Sequence, residues 1–197
     1  MLVLGVVLMV VHVSVSRVLE YYYPFIKKVP KEQLLLGLTV ERYLYEHSYY
    51  FRNKCVYHPR VKMEVPFGGD VIVVHGEPDF VDFFRRIIYE VKLDNPHLHK
   101  RNSKYRKRVQ LQLSYYYYML GGNHKLMVLP VKVEKKNGEL VVDIPVEVMR
   151  ARDVPIYFKK AFEVEPLPYS VVVDLTVNYV RARASLRESL GSLEGFE

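Results

Sequence analysis

Apolar and polar positions change period several times along the chain, and each change marks a change of element. Residues 1–15 are almost wholly apolar and read as a buried strand or helix leading into the domain. No basic residue opens this run and no small-residue cleavage site closes it. It is also shorter than the roughly 20 residues a membrane-spanning helix needs, so neither a signal peptide nor a membrane partner is expected. Extra sequence ahead of an internal start at Met9 is the other reading of such a run. Ser14 to Pro24 has the form of a short capped helix stopped by proline. A second helix follows Pro30 and is expected to continue past Gly37 to about Arg52, because Leu36, Val40, Tyr43, Leu44 and His47 recur at helical spacing.

From Cys55 the period becomes two. Val61, Met63 and Val65 alternate ahead of a Gly68-Gly69 turn, and Val71 to His75, Phe80 to Phe84 and Ile87 to Leu93 read as three strands, the last one buried. Asp94 to Arg108 is polar and basic. Within it Ser103 can cap a helix that runs to Leu120 and stops at Gly121-Gly122. Strands over Lys125 to Glu134 and Leu140 to Ile144 flank the hairpin signal Lys136-Asn137-Gly138. A strand near Ser170 to Thr176 is expected to lead into a C-terminal helix around Val177 to Leu190. With no repeat and no low-complexity linker, the simplest organisation is a single domain over residues 1–197, α/β or α+β in class.

Composition narrows the functional classes. Half of the 197 residues are apolar and 26% are charged, the balance of a folded protein. A net charge of +7 favours a polyanionic partner. Cys55 is the single cysteine, which rules out an internal disulfide, a zinc site built of several thiolates and a cluster held by four cysteines. A reducing, cytoplasmic setting is the expectation that follows. Glutamine is limited to Gln33, Gln110 and Gln112, a scarcity that leans toward a thermophilic source.

One strand carries charges where only apolar residues are expected. Ile87-Ile88-Tyr89-Glu90-Val91-Lys92-Leu93 is interrupted by an acid and a lysine two apart, which project from the same face. Eleven residues before Glu90, Asp79 follows Gly76-Glu77-Pro78. If Asp79 ends the neighbouring strand it faces Glu90, and two facing carboxylates suit a hard divalent cation. Phosphodiester hydrolysis uses such a set: the ion neutralises developing charge and makes hydroxide available, while a nearby lysine orients or deprotonates water. The alternative is a surface ion pair between Glu90 and Lys92 on an edge strand.

Gln112 and Tyr116 share a helix face at four-residue spacing. In that order, Asp79, Glu90-x-Lys92 and Gln112-x-x-x-Tyr116 resemble the motif series of RecB-type PD-(D/E)XK nucleases, and most of all the CRISPR-associated RecB-like exonucleases. The resemblance covers about residues 13–130, with 131–197 as C-terminal strands and a helix that complete the domain. It implies a restriction-endonuclease-like fold, a mixed central sheet flanked by helices. It also implies Mg2+ or Mn2+ held by Asp79, Glu90 and the Val91 carbonyl, catalysis assisted by Lys92, and support from Gln112 and Tyr116. Glu41, in Gly37-Leu38-Thr39-Val40-Glu41, stands where relatives carry a metal-ligating histidine or glutamate, and Glu64 matches an acid often seen upstream of the aspartate. Val13 to Pro24 resembles the opening helix of the CRISPR-associated group, but Tyr23 replaces its cysteine. The C-terminal cysteine cluster is missing too, so no iron–sulfur cluster is expected.

Lys100, Arg101, Lys104, Arg106, Lys107 and Arg108 crowd the segment just after the catalytic strand, where they can hold a phosphate backbone entering the site; a solvated loop is the plain alternative. His97 and His99 are not expected to be a metal pair. The resulting expectation is a metal-dependent DNA nuclease, exonucleolytic on single strands or ends. Its rivals are an inactive nucleic-acid-binding module, as in an archaeal virus or CRISPR accessory protein, and a Holliday-junction resolvase.

Overall fold

A computed structural model describes residues 9–24, 31–136, 139–143 and 161–191. In chain order the elements are β1 (Val10–Ser14), α1 (Val15–Tyr22), α2 (Lys31–His47), α3 (Tyr49–Lys54), β2 (Val56–Tyr57), β3 (Val61–Phe67), β4 (Asp70–Gly76) and β5 (Phe80–Asp82). They continue with β6 (Ile87–Leu93), α4 (Pro96–His99), α5 (Lys104–Met119), β7 (Lys125–Lys136), β8 (Glu139–Asp143), β9 (Phe162–Glu163) and α6 (Tyr169–Gly191). Where one central sheet was expected, the described residues form two, both mixed. The smaller has the order β1-β4-β3, and the larger runs β2-β5-β6-β7-β8 with β9 also paired to β7. This is an α/β architecture with helices flanking mixed sheets, consistent with a restriction-endonuclease-like fold. Among the described residues no helix is long and apolar enough to cross a membrane.

The apolar N-terminal run is, from Val10 onward, a strand parallel to β4, with Val13 opposite Val74. Ser14 then caps α1 by accepting from the Arg17 N–H. The helix expected to reach Arg52 unbroken is two. Buried Ser48 adopts an extended backbone (φ −85°, ψ 121°) and accepts from the Phe51 N–H, which ends α2 and starts α3. The strand expected over Phe80 to Phe84 stops at Asp82, whose carboxylate accepts from the Arg85 N–H and from Tyr50 Oη. The chain turns there, leaving Phe84 95% exposed. Asn95, whose side chain accepts from His97 N and Leu98 N, starts the short helix α4 inside the segment read as a basic loop.

The C-terminal correction is larger. Ser170 to Thr176, expected as a strand, opens α6. Its run of β-branched residues imitates a strand, but Val172, Thr176 and Val180 are buried at four-residue spacing, the period of a helix face. Packing decides between the two readings: Tyr115 of α5 reaches Thr176 Oγ1 at 2.7 Å. The hairpin signal at residues 137–138 lies outside the described residues, although β7 and β8 on either side pair antiparallel, Lys136 opposite Glu139.

β6 is covered on both faces, which explains its nearly continuous apolar sequence. Ile87, Tyr89 and Val91 pack with Val40 and Leu44 of α2 and with Tyr50 and Phe51 of α3. Ile88 belongs to a second core that holds Val109, Leu111 and Leu113 of α5 together with α1 and α6. Charges at Glu90 and Lys92 therefore interrupt a strand that has no solvent face for most of its length.

Candidate metal centre

Strand alternation sets Glu90 on the face of Ile88, beneath α5. It is fully buried. Its Oε1 accepts from Lys92 Nζ and, at 2.7 Å, from Gln112 Nε2. Its Oε2 is buried and has no hydrogen-bond partner among the described residues. A carboxylate oxygen in that condition is expensive unless something positive meets it.

Asp79 immediately precedes the neighbouring strand β5. β5 and β6 pair antiparallel with Phe80 opposite Tyr89, so continuing the register by one residue sets Asp79 opposite Glu90. The segment Glu77-Pro78-Asp79 carries the chain from β4 in the smaller sheet to β5 in the larger. Asp79 is 8% exposed, and its Oδ2 accepts the Val91 N–H at 2.6 Å.

Glu41 is brought by α2, beside the core residue Val40. Its Oε2 lies 3.0 Å from Nε2 of His58, a residue to which the sequence reading assigned no role. His58 follows β2 with φ +48°, and its N–H donates to the Asp79 carbonyl at 3.1 Å. One ligand atom each from Glu41, His58 and Asp79 lie within 4.8 Å of one another. No spacing rule marked His58, because it approaches from a separate loop with neither motif beside it. A histidine followed by proline after a short apolar strand was the only local hint.

The electrostatics are those of acids that cannot all ionise together. Burial pushes the carboxyl groups of Glu41, Asp79 and Glu90 each up to about 7. Repulsion adds to it, Glu90 acting on Glu41, Glu41 on Asp79 and Asp79 on Glu90, while Lys92 pulls all three the other way. Burial alone would lower the lysine, but Glu90 and Asp79 overcome it and hold Lys92 above its usual value, so it stays charged. Three oxygen donors, an imidazole and a single ammonium leave room for further positive charge.

α5 supports the cluster from above. Tyr105, Val109, Gln112 and Tyr116 recur at helical spacing, and Tyr105 lies near enough to Lys92 and Glu90 to feel both charges. Gln112 Nε2 is also 3.1 Å from Tyr116 Oη. The Tyr116 ring rests on Gly76, where a Cβ would stand 2.6 Å from Tyr116 Cε1. Burial, then Glu90, keeps the Tyr116 hydroxyl well above its ordinary range. Tyr115 and Tyr118 instead face α6 and its approach: Tyr115 is fully buried, and Tyr118 donates to the Leu167 carbonyl at 2.7 Å.

The structure thus brings Asp79, Glu90, Lys92, Gln112, Tyr116 and Glu41 together, with Val91 lending its N–H to Asp79. Other candidates stand apart. Glu64 is exposed on β3 in the smaller sheet, 3.7 Å from Lys62. Among the six cations, Lys100, Arg101, Lys104 and Lys107 are exposed. Arg106 lies 3.7 Å over the Phe162 ring, and Arg108 donates to the Tyr23 carbonyl at 2.8 Å. His99 Nε2 is bonded to Asp94 Oδ1 rather than aligned with His97.

No protein-family model matches the chain, and no curated protein matches its sequence. Among solved structures the crystal structure of SSO0001 is similar, with a TM-score of 0.52 and 16% sequence identity over 87% of this chain and 76% of that one. At such identity the likeness concerns the fold alone.

Proposed function

We propose that the chain is a metal-dependent nuclease of the PD-(D/E)XK kind that hydrolyses DNA phosphodiester bonds, exonucleolytically on single strands or ends. The observation that carries this reading is the facing of Glu90 on β6 by Asp79, the residue that leads into β5, both buried, with Lys92 on Glu90 and with Glu90 Oε2 unpartnered among the described residues. Buried acids of this number without enough countercharge fit a hard divalent cation, Mg2+ or Mn2+. Asp79, Glu90 and Glu41 would hold the ion, with the Val91 carbonyl as a further oxygen.

When bound, the ion supplies charge neutralisation on the phosphate and a water acidic enough to react near neutral pH. The rest falls to the chain. Lys92, kept protonated by its two acid neighbours, adds positive charge beside the scissile phosphate and orients the attacking water. Gln112 fixes one oxygen of Glu90, which leaves the other aimed by the same rotamer. Tyr116 holds Gln112 in turn. The exposed cations Lys100, Arg101, Lys104 and Lys107 lie at and just before the start of α5, whose first turn carries Tyr105 near the cluster; they would guide the phosphate backbone. A cytoplasmic location accords with this chemistry.

The test is cleavage of end-labelled single-stranded DNA by the full chain with Mn2+, beside Asp79→Ala. Stepwise loss of terminal nucleotides that stops with chelator or with the substitution is the expected result. Cleavage that Asp79→Ala leaves intact overturns the proposal. A preference for four-way junctions over linear strands would point to a resolvase instead.

A further inference from the structure

We infer that His58 is a nitrogen ligand of the ion held at this centre, and that it makes Mn2+ or a later first-row cation, rather than Mg2+, the metal the site prefers. The inference rests on the metal-dependent reading above and adds to it a ligand and a choice of ion.

Three observations carry it. His58 Nε2 is 3.0 Å from Glu41 Oε2, and the ligand atoms of Glu41, His58 and Asp79 fall within 4.8 Å of one another. Donors bound at about 2.1 Å and at right angles around an octahedral ion stand about 3 Å apart, so the histidine and Glu41 already have the separation of adjacent ligands. The buried Glu90 Oε2, unpartnered, belongs to the same group of acids, since Glu90 acts electrostatically on Glu41 and Asp79 on Glu90. Finally, the imidazole is held from several sides. Its N–H neighbour in the backbone donates to the Asp79 carbonyl, and its ring lies 4.1 Å from that of Tyr57, which itself stacks on Tyr45 at 4.8 Å.

His58 Nε2 and Glu41 Oε2 face each other at 3.0 Å, so a cation seated between them would replace that mutual contact by two bonds to the ion. In that arrangement Nε2 offers its lone pair to the ion, and any hydrogen on that nitrogen leaves to solvent. An all-oxygen set suits Mg2+. One imidazole shifts the balance toward ions that accept nitrogen readily, in the order Mn2+, Fe2+, Co2+ and beyond. Lys92 and Glu90 are untouched by this change, so His58 alters which ion binds and leaves the reacting groups in place.

Calorimetric titration of the full chain with Mn2+ and with Mg2+, without DNA, reads the preference directly. Pulsed electron paramagnetic resonance of the Mn2+-loaded protein reads the ligand. The expected results are tighter binding of Mn2+ than Mg2+, nitrogen modulation on the Mn2+ signal, and a loss of Mn2+ affinity of about tenfold or more in His58→Gln. That variant should narrow the gap between the two ions and remove the modulation. Mn2+ bound to the native chain without nitrogen modulation overturns the role of His58 while leaving the carboxylate site standing, and this arm needs no variant to fold. Mn2+ affinity unchanged by Asp79→Asn overturns the metal centre itself.

Discussion

Gln112 donates to Glu90 Oε1 at 2.7 Å and thereby ties helix α5 to the charged position of the buried strand β6. Lys92 occupies the same oxygen, so losing the glutamine leaves Glu90 paired but free to rotate. Gln112→Ala is expected to keep the fold and lower metal-dependent cleavage by about 10–100-fold, the usual cost of removing a group that orients a ligand. Steady-state rates at saturating Mn2+, with circular dichroism as the control, check this. An undiminished rate would remove Gln112 from the site.

Tyr116 is placed by an absence of side chain at Gly76. A methyl group there would come within 2.6 Å of Cε1 and 3.2 Å of Val15 Cγ2. Gly76→Ala is expected to destabilise the chain by about 1–3 kcal/mol through overpacking. Paired with Tyr116→Ala, it should cost much less than the sum of the single changes, because the clash partner is gone. Urea unfolding of the four proteins measures this coupling.

The three carboxyl groups at about 7 have a sign that runs against ordinary surface acids. Their folded values lie above those of an unfolded chain, near 4, so the metal-free folded protein binds more protons than the unfolded one. The stability they contribute is complete below pH 4 and disappears as pH rises through 7. Melting temperature in chelator should therefore fall across this window. With saturating Mn2+ the slope should reverse, since the ion competes with protons for the same oxygens. Equal slopes with and without Mn2+ would argue against ligation by these acids.

Lys92→Ala leaves Gln112 as the donor to Glu90 Oε1 and removes the ammonium beside the acids. Cleavage is expected to fall by about 10²–10⁴-fold, the range for a positioned proton-transfer or charge-stabilising group. Mn2+ affinity should be retained or rise, because a competing cation has left the acids. Calorimetry and single-turnover kinetics on one preparation separate the two effects.

Cations at the start of α5 divide into exposed and engaged. Lys104→Ala and Lys107→Ala, at exposed positions, should each lower the slope of log K against log salt for single-stranded DNA by about 0.7. Arg106→Ala removes a guanidinium stacked on Phe162 and should show mainly as lost stability. Binding titrations over a salt series distinguish these, and an Arg106 effect confined to the salt slope would contradict the division.

Local information settled much of this protein. Ser14 and Ser103 announce helix starts because a hydroxyl satisfies orphan N–H groups within its own turn, and both cap where the sequence places them. Ile87 to Leu93 declares a buried strand by its apolar run, and Glu90 and Lys92 declare a shared face by spacing alone. Gln112 and Tyr116 share a helix face by spacing in the same way, while their place at the site was what the family resemblance implied.

What tertiary structure decided is whatever depends on a partner distant in the chain. Ser170 to Thr176 carries side chains that suit either period, and the helical one buries Val172 and Thr176 together, with Thr176 on Tyr115. Two sheets rather than one arise where Glu77 and Pro78 step between β4 and β5, a crossing no periodicity encodes. His58 joined the acids only through the loop after β2, and Gly76 acquired its importance only under the Tyr116 ring. Hydrogen-bonding and periodicity act over a few residues and can be read in order; burial and charge repulsion act through space, so their outcome exists only once the chain has folded.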